Sequence, residues 1–290
     1  MTSAATSSGS PSLTTRSEQR CFGGTVGFYS HASRSTGTEM RVGVYVPPHA
    51  EGARLPVLYY LAGLTCNEET FLTKAGAQRL ASELGLILVA PDTSPRGVSL
   101  PGDSDSWDFG QSAGFYLDAT EAPWAAHYRM ESYVVDELPA LIEAHFPASD
   151  RRGLCGHSMG GHGALVLALR HPGRYQSLSA FAPICNPVAV PWGEKAFANY
   201  LGPDRARWEA YDASLLMARA PFAGDVLVDQ GLGDKFLDTQ LRPEALEAAA
   251  QRGGQALTLR RHAGYDHVYY FIQTFMADHL QWHAARLRAG

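Results

Sequence analysis

Leu154-Cys155-Gly156-His157-Ser158-Met159-Gly160-Gly161-His162-Gly163-Ala164-Leu165 decides how the rest of the chain is read. A short apolar run enters a glycine, a serine stands two residues on, and an apolar helical stretch comes next. In the G-x-S-x-G segment, residues 156 to 160, small residues flank the serine because a strand-to-helix turn is too tight for side chains there. The hydroxyl is thrust clear of the backbone. The helix that opens beyond it presents free N–H groups where negative charge would develop. With 29 glycines in the chain the bare pattern is weak, so its weight comes from lying between a strand and a helix.

Outward from this turn, apolar and β-branched runs ending in turn residues alternate with helical segments, the pattern of a mostly parallel sheet covered on both faces. The runs are Val57 to Leu61, Leu86 to Ala90, Leu154-Cys155 and Val226 to Val228, with a last strand at Ala256 to Arg260. Gly24 to Tyr29 and Met40 to Val46 read as an antiparallel hairpin, Val42, Val44 and Val46 alternating with Arg41, Gly43 and Tyr45. Helices are expected at Lys74 to Leu84, Met130 to Ala144, Gly161 to Arg170, Pro243 to Gln251 and Val268 to Arg286. With the serine turn, these predict an α/β-hydrolase fold. Residues 1–17, rich in Ser, Thr, Ala and Gly at their start, are expected to be a disordered tail, and residues 18–290 one domain.

Ligands bind beyond the carboxyl ends of the strands in such sheets, so the chemistry is sought in those loops. A serine hydroxyl needs a base oriented by a carboxylate, and the chain order in this fold is Ser, acid, His. Asp234, in Gly231-Leu232-Gly233-Asp234, comes after the strand at Val226 to Val228. Asp229 is a rival still within the strand, and Asp238 is one in the first turn of the next segment. Of the histidines after the last strand, His267 opens the final helix and is favoured as base, whereas His262 stays close to the strand. His157 and His162 read as packing or surface residues. They form no metal site, since no HExxH pattern or Cys and carboxylate cluster accompanies them.

A tetrahedral oxyanion needs two donors. The fold supplies Met159 N–H, after the nucleophile, and one from Ala62-Gly63-Leu64-Thr65, assigned to Leu64 N–H with a neighbouring residue as the alternative. Trp107, Phe181 and Trp192 are candidates for walling a small acyl pocket, or equally core and lid aromatics. Cys66 is either a buried small thiol or a modifiable one at the mouth of the site.

Composition excludes other classes. Charged residues are 18% of the 290 and the net charge is −5, which argues against a nucleic-acid binder. No apolar run is long enough to cross a bilayer, and no signal peptide is read at the start. Cys21, Cys66, Cys155 and Cys185 show no CxxC spacing, which suits a reducing cytoplasm.

The residues also resemble the S-formylglutathione hydrolase (esterase D) family, from Cys21 to Leu287. The resemblance is carried by Leu61-Ala62-Gly63-Leu64-Thr65-Cys66, Ala90-Pro91-Asp92-Thr93-Ser94-Pro95-Arg96-Gly97, Ser106-Trp107-Asp108-Phe109-Gly110, Gly114-Phe115-Tyr116-Leu117-Asp118, Gly156-His157-Ser158-Met159-Gly160 and Gly264-Tyr265-Asp266-His267. It implies a triad at Ser158, Asp234 and His267, and hydrolysis of S-formylglutathione to formate and glutathione in formaldehyde detoxification. No cofactor is implied; the partner is a small-molecule thioester, with neither nucleic acid nor membrane, and a homodimer is left open. The tail before Arg16 has no counterpart in the family, and Cys155 replaces a bulkier apolar residue. A general small-acyl carboxylesterase shares the same machinery, and an acyltransferase of similar fold is the alternative from another class.

Overall fold

The computed structural model describes residues 12–288. Nine strands form one sheet: β1 (Thr14–Cys21), β2 (Gly24–Ala32), β3 (Glu39–Val46), β4 (Leu55–Leu61), β5 (Ile87–Pro91), β6 (Ala148–His157), β7 (Ser177–Phe181), β8 (Val226–Gly231) and β9 (Leu257–His262). Their spatial order is β1-β2-β3-β5-β4-β6-β7-β8-β9. β1, β2, β3 and β5 pair antiparallel in turn, and every pair from β5 to β9 is parallel.

Every residue of β5, β7 and β8 is buried, as strands covered on both faces require. The helices are α1 (Thr70–Lys74), α2 (Gln78–Leu84), α3 (Met130–Ser132), α4 (Leu138–His145), α5 (Met159–Arg170), α6 (Pro191–Tyr200), α7 (Arg205–Trp208), α8 (Ala213–Arg219), α9 (Pro243–Gly253) and α10 (Tyr269–Arg288). Both α5 and α10 pack on β4, β6 and β7. This is the α/β-hydrolase fold. Among the described residues no helix is long and apolar enough to cross a membrane.

The structure differs from the expectations above in several details, α6, α7 and α8 being helices not among those expected. The tail assigned to 1–17 is too long, because Thr14, Thr15 and Ser17 already pair with β2; residues 1–11 lie outside the described residues. The helix expected at Lys74 to Leu84 is two, separated at Gly76, whose φ of 66° interrupts a right-handed helix. Between α3 and α4 the chain makes a π-helical turn, Tyr133–Glu137. Pro139 just beyond it has no N–H to give the preceding turn, so a regular ladder cannot run through. β7 is absent from the expected strands, because Ser177 and Ser179 interrupt its apolar run. Their hydroxyls are satisfied inside the core by α10: Ser177 Oγ lies 2.6 Å from His283 Nδ1, and Ser179 Oγ lies 2.8 Å from His279 Nδ1.

The sheet positions the site through its order. β4 is flanked by β5 on one side and β6 on the other, so the connections diverge there and leave a crevice at the carboxyl ends. Leu61 pairs with Gly156 across that crevice, setting the loop after β4 against the turn after β6.

Candidate active site

Ser158 sits between the last residue of β6 and the first of α5, with φ 58° and ψ −118°, a conformation that costs a non-glycine residue energy and persists only where its surroundings hold it. Its N–H donates to the Phe181 carbonyl (3.0 Å), and its own carbonyl accepts from His162 N–H (2.9 Å). Close approach explains the flanking glycines. A Cβ at Gly156 would lie 2.1 Å from the Gly160 carbonyl oxygen, and one at Gly160 would lie 1.9 Å from that of Leu61.

The structure brings Ser158, Asp234 and His267 together. Ser158 Oγ is 2.9 Å from His267 Nε2, and His267 Nδ1 is 2.5 Å from Asp234 Oδ2. Asp234 Oδ1 accepts from Phe236 N–H at 2.8 Å, which fixes the carboxylate in the turn after β8. Its side chain is fully buried, while that of His267 keeps an exposed edge. The rivals lie elsewhere. Asp229, inside β8, is held by two Arg260 nitrogens at 2.6 Å each; His279 Nε2 and His262 Nε2 each stand 3.3 Å from it. Those cationic and hydrogen-bonding neighbours outweigh its burial and hold its carboxyl well below the usual range. Asp238 falls in a helical turn, Leu237–Leu241.

The loop after β4 lies against the serine, a Cβ at Gly63 falling 3.1 Å from Ser158 Cβ. Thr65 N–H already donates to the Ser112 carbonyl (3.2 Å) and Cys66 N–H to that of Gly63 (3.3 Å), which takes both out of competition with Leu64 N–H. The loop is fastened by its Cys66 carbonyl, which accepts from Thr93 Oγ1 (2.6 Å) and from Arg96 Nη2 (3.3 Å), itself ion-paired with Asp92. Met159 N–H is the first amide of α5 and has no acceptor within the helix.

A cavity of about 150 Å³ adjoins the serine, lined by Trp107, Trp192, Phe236, Cys66, His157 and the loop from Gly63 to Thr65. Trp107 and Trp192 meet edge to face, 5.6 Å between centroids. Phe181 is a correction to the expected lining: it belongs to β7, is fully buried, and stacks on His279 at 3.7 Å in the core behind the site. In its place stands Phe236, which carries no mark of its own in the sequence beyond lying two residues after Asp234. His157 packs as expected, and its place is beside the base. It lines the cavity, its ring centroid 4.5 Å from that of His267, and burial together with that neighbour holds its pKa well below the ordinary value. His162 is buried beside the Phe115 carbonyl. Cys66 is half-buried on the cavity wall, and burial raises its pKa. Cys155 is wholly buried, its thiol pushed up to about 12.

This arrangement suits acyl transfer: a hydroxyl on a strained turn, an imidazole on it, a buried carboxylate on the imidazole, and the first amide of α5 next to the serine. The family model described as "Putative esterase" matches residues 33–282. The S-formylglutathione hydrolase of Mus musculus is 54% identical over 276 residues, covering 94% of this chain and 98% of that protein. That of Paracoccus denitrificans is 53% identical over 274 residues, with the same coverage. The solved S-formylglutathione hydrolase from Agrobacterium tumefaciens superposes with a TM-score of 0.92 at 51% identity, covering 94% of this chain and 99% of that one.

Proposed function

The chain belongs to the S-formylglutathione hydrolase family of esterases, and from that premise we infer that it hydrolyses S-formylglutathione to formate and glutathione through an acyl-enzyme on Ser158. The observation that carries the mechanism is the relay of 2.9 Å and 2.5 Å from Ser158 Oγ through His267 to Asp234.

His267 Nε2 takes the Ser158 proton as Oγ attacks the formyl carbon, and Asp234 steadies the imidazolium that forms. The carbonyl oxygen becomes an oxyanion facing the Leu64 and Met159 amides, donors fixed before the reaction begins. Collapse breaks the carbon–sulfur bond, and His267 returns its proton to the departing glutathione thiolate. Water then attacks the formyl ester with His267 again as base; formate leaves and Ser158 regains its proton. Nothing in this sequence calls for a cofactor or a metal, glutathione being part of the substrate.

The small cavity favours a formyl group over longer acyl chains. The partner in this reading is the thioester alone, with neither nucleic acid nor membrane, and a homodimer is compatible with it. A cytoplasmic setting accords with four cysteines that are all free. Turnover by the purified protein on S-formylglutathione, compared with aryl acetates, tests the function: a specificity constant for the aryl esters equal to or above that for the thioester would make it a general carboxylesterase. An acyltransferase would be revealed by formyl esters appearing with an added alcohol acceptor.

A further inference from the structure

Resting on the activity inferred above, we propose that Lys74 binds the glycyl carboxylate of the glutathione moiety and so separates a glutathione thioester from a neutral ester of the same acyl group. A second cavity, of about 660 Å³, adjoins the acyl cavity and shares Leu64, Thr65, Cys66, His157 and His267 with it. A thiolate leaving the formyl carbon therefore has room there for the rest of its tripeptide, a volume within the usual range for sites of small ligands.

The chemistry of the lining is one-sided. Lys74 carries its one permanent charge; the neighbours are Thr70, Thr73, Tyr270 and Gln273, and no carboxylate is among them. Lys74 is exposed at the end of α1, with its ammonium 5.9 Å from the centre of the Tyr269 ring. Among the described residues it has no ion-pair partner, whereas Lys195 is bound to Asp108 at 2.6 Å. Glutathione has two charged ends that differ in kind. The γ-glutamyl end bears an ammonium with its carboxylate, and the glycyl end bears a carboxylate alone. A single cation with no anion beside it complements the glycyl end; the γ-glutamyl end would bring its ammonium against Lys74 with no counter-charge in the lining.

Lys74 binds a part of the substrate remote from the reacting carbon, so its loss weakens ground state and transition state alike. Lys74→Gln should raise KM for S-formylglutathione roughly fivefold with kcat unchanged, the range of a partly solvated ion pair, while leaving KM and kcat for an aryl formate ester unaltered. Lys74→Arg should restore KM to within about twofold. The carboxylate is identified with S-methylglutathione as a competitive inhibitor of aryl ester hydrolysis. Its Ki should rise in Lys74→Gln by the same factor, whereas its glycine amide should inhibit wild type and variant equally. An unchanged KM, an equal change on the aryl ester, or an amide whose Ki still responds to Lys74→Gln would overturn the assignment. The inhibitor measurements decide it independently of turnover: a wild type inert toward S-formylglutathione would count against the function, not against Lys74.

Discussion

Phe236 stands edge-on to the His267 imidazole, ring centroids 5.1 Å apart, and on its other side meets Trp192 at 4.6 Å. One ring thus flanks the base and closes the acyl cavity. In so small a space each methylene added to the acyl group must displace packed atoms. Rates should fall from formyl through acetyl to butyryl, and Phe236→Ala should flatten that series by raising butyryl turnover relative to formyl at least tenfold. Specificity constants for a homologous set of thioesters check this; a flat wild-type series would remove the cavity as the selector.

The relay makes an ordered prediction about its members. Ser158→Ala and His267→Ala should each lower kcat by roughly 10⁴ to 10⁶-fold, and Asp234→Asn by about 10⁴ at most, since oxyanion donors and binding remain. His262→Ala should keep turnover within about threefold and instead lose roughly 1 kcal/mol of stability, because it removes a ring stacked on Phe275. Steady-state rates with urea unfolding on the same preparations separate the two effects; a greater rate loss in His262→Ala than in His267→Ala would reassign the base.

Much of the fold and the relay is legible in the chain because strand ends and turns leave local marks. The relay joins residues 109 and 33 positions apart, and each lies in a glycine-marked loop just past a strand or at a helix start. What is not marked locally is which face of a strand, or which loop, fills a given space. Phe181 pairs with His157 beside the serine turn, yet β7 directs its ring to the α10 side, against His279. Phe236 reaches the cavity only through the fold of the Asp234 loop. Ser177 and Ser179 look unlike strand interior because their partners, His283 and His279, come from the far end of the chain.

Buried histidines give the fold an acid-side weakness. Burial lowers the pKa of His162 from 6.5 to about 4, although its Nε2 lies 3.1 Å from the Phe115 carbonyl. Below pH 6.5 the unfolded chain takes up a proton that the native chain refuses, so stability falls as the pH drops and levels off near 4. The cost is about 3 kcal/mol for this one group; His157 and His283 are shifted the same way. His162→Gln should therefore lose less stability than wild type between pH 7 and pH 4.5. Urea midpoints across that range measure it, and parallel curves would show that His162 is not the group responsible.

Cys66 lies where the two cavities meet, beside the loop that carries the Leu64 amide. Its thiol is not the nucleophile, since the hydroxyl of Ser158 already has a base and an acid in line. Half-buried, with its pKa raised by burial, it should react slowly at neutral pH and faster as the pH rises, the thiolate being the reactive form. A bulky group placed there would fill the acyl cavity and the mouth of the larger one without touching the relay. Wild-type activity should therefore be lost on treatment with a bulky maleimide, at a rate that climbs with pH, while Cys66→Ser stays active and resists the reagent. Cys155 and Cys185 are fully buried and should be modified only on unfolding. Inactivation of Cys66→Ser at the wild-type rate would move the effect to another thiol, half-buried Cys21 first, and a folded but inactive Cys66→Ser would give the sulfur a part in catalysis that the geometry assigns to Ser158.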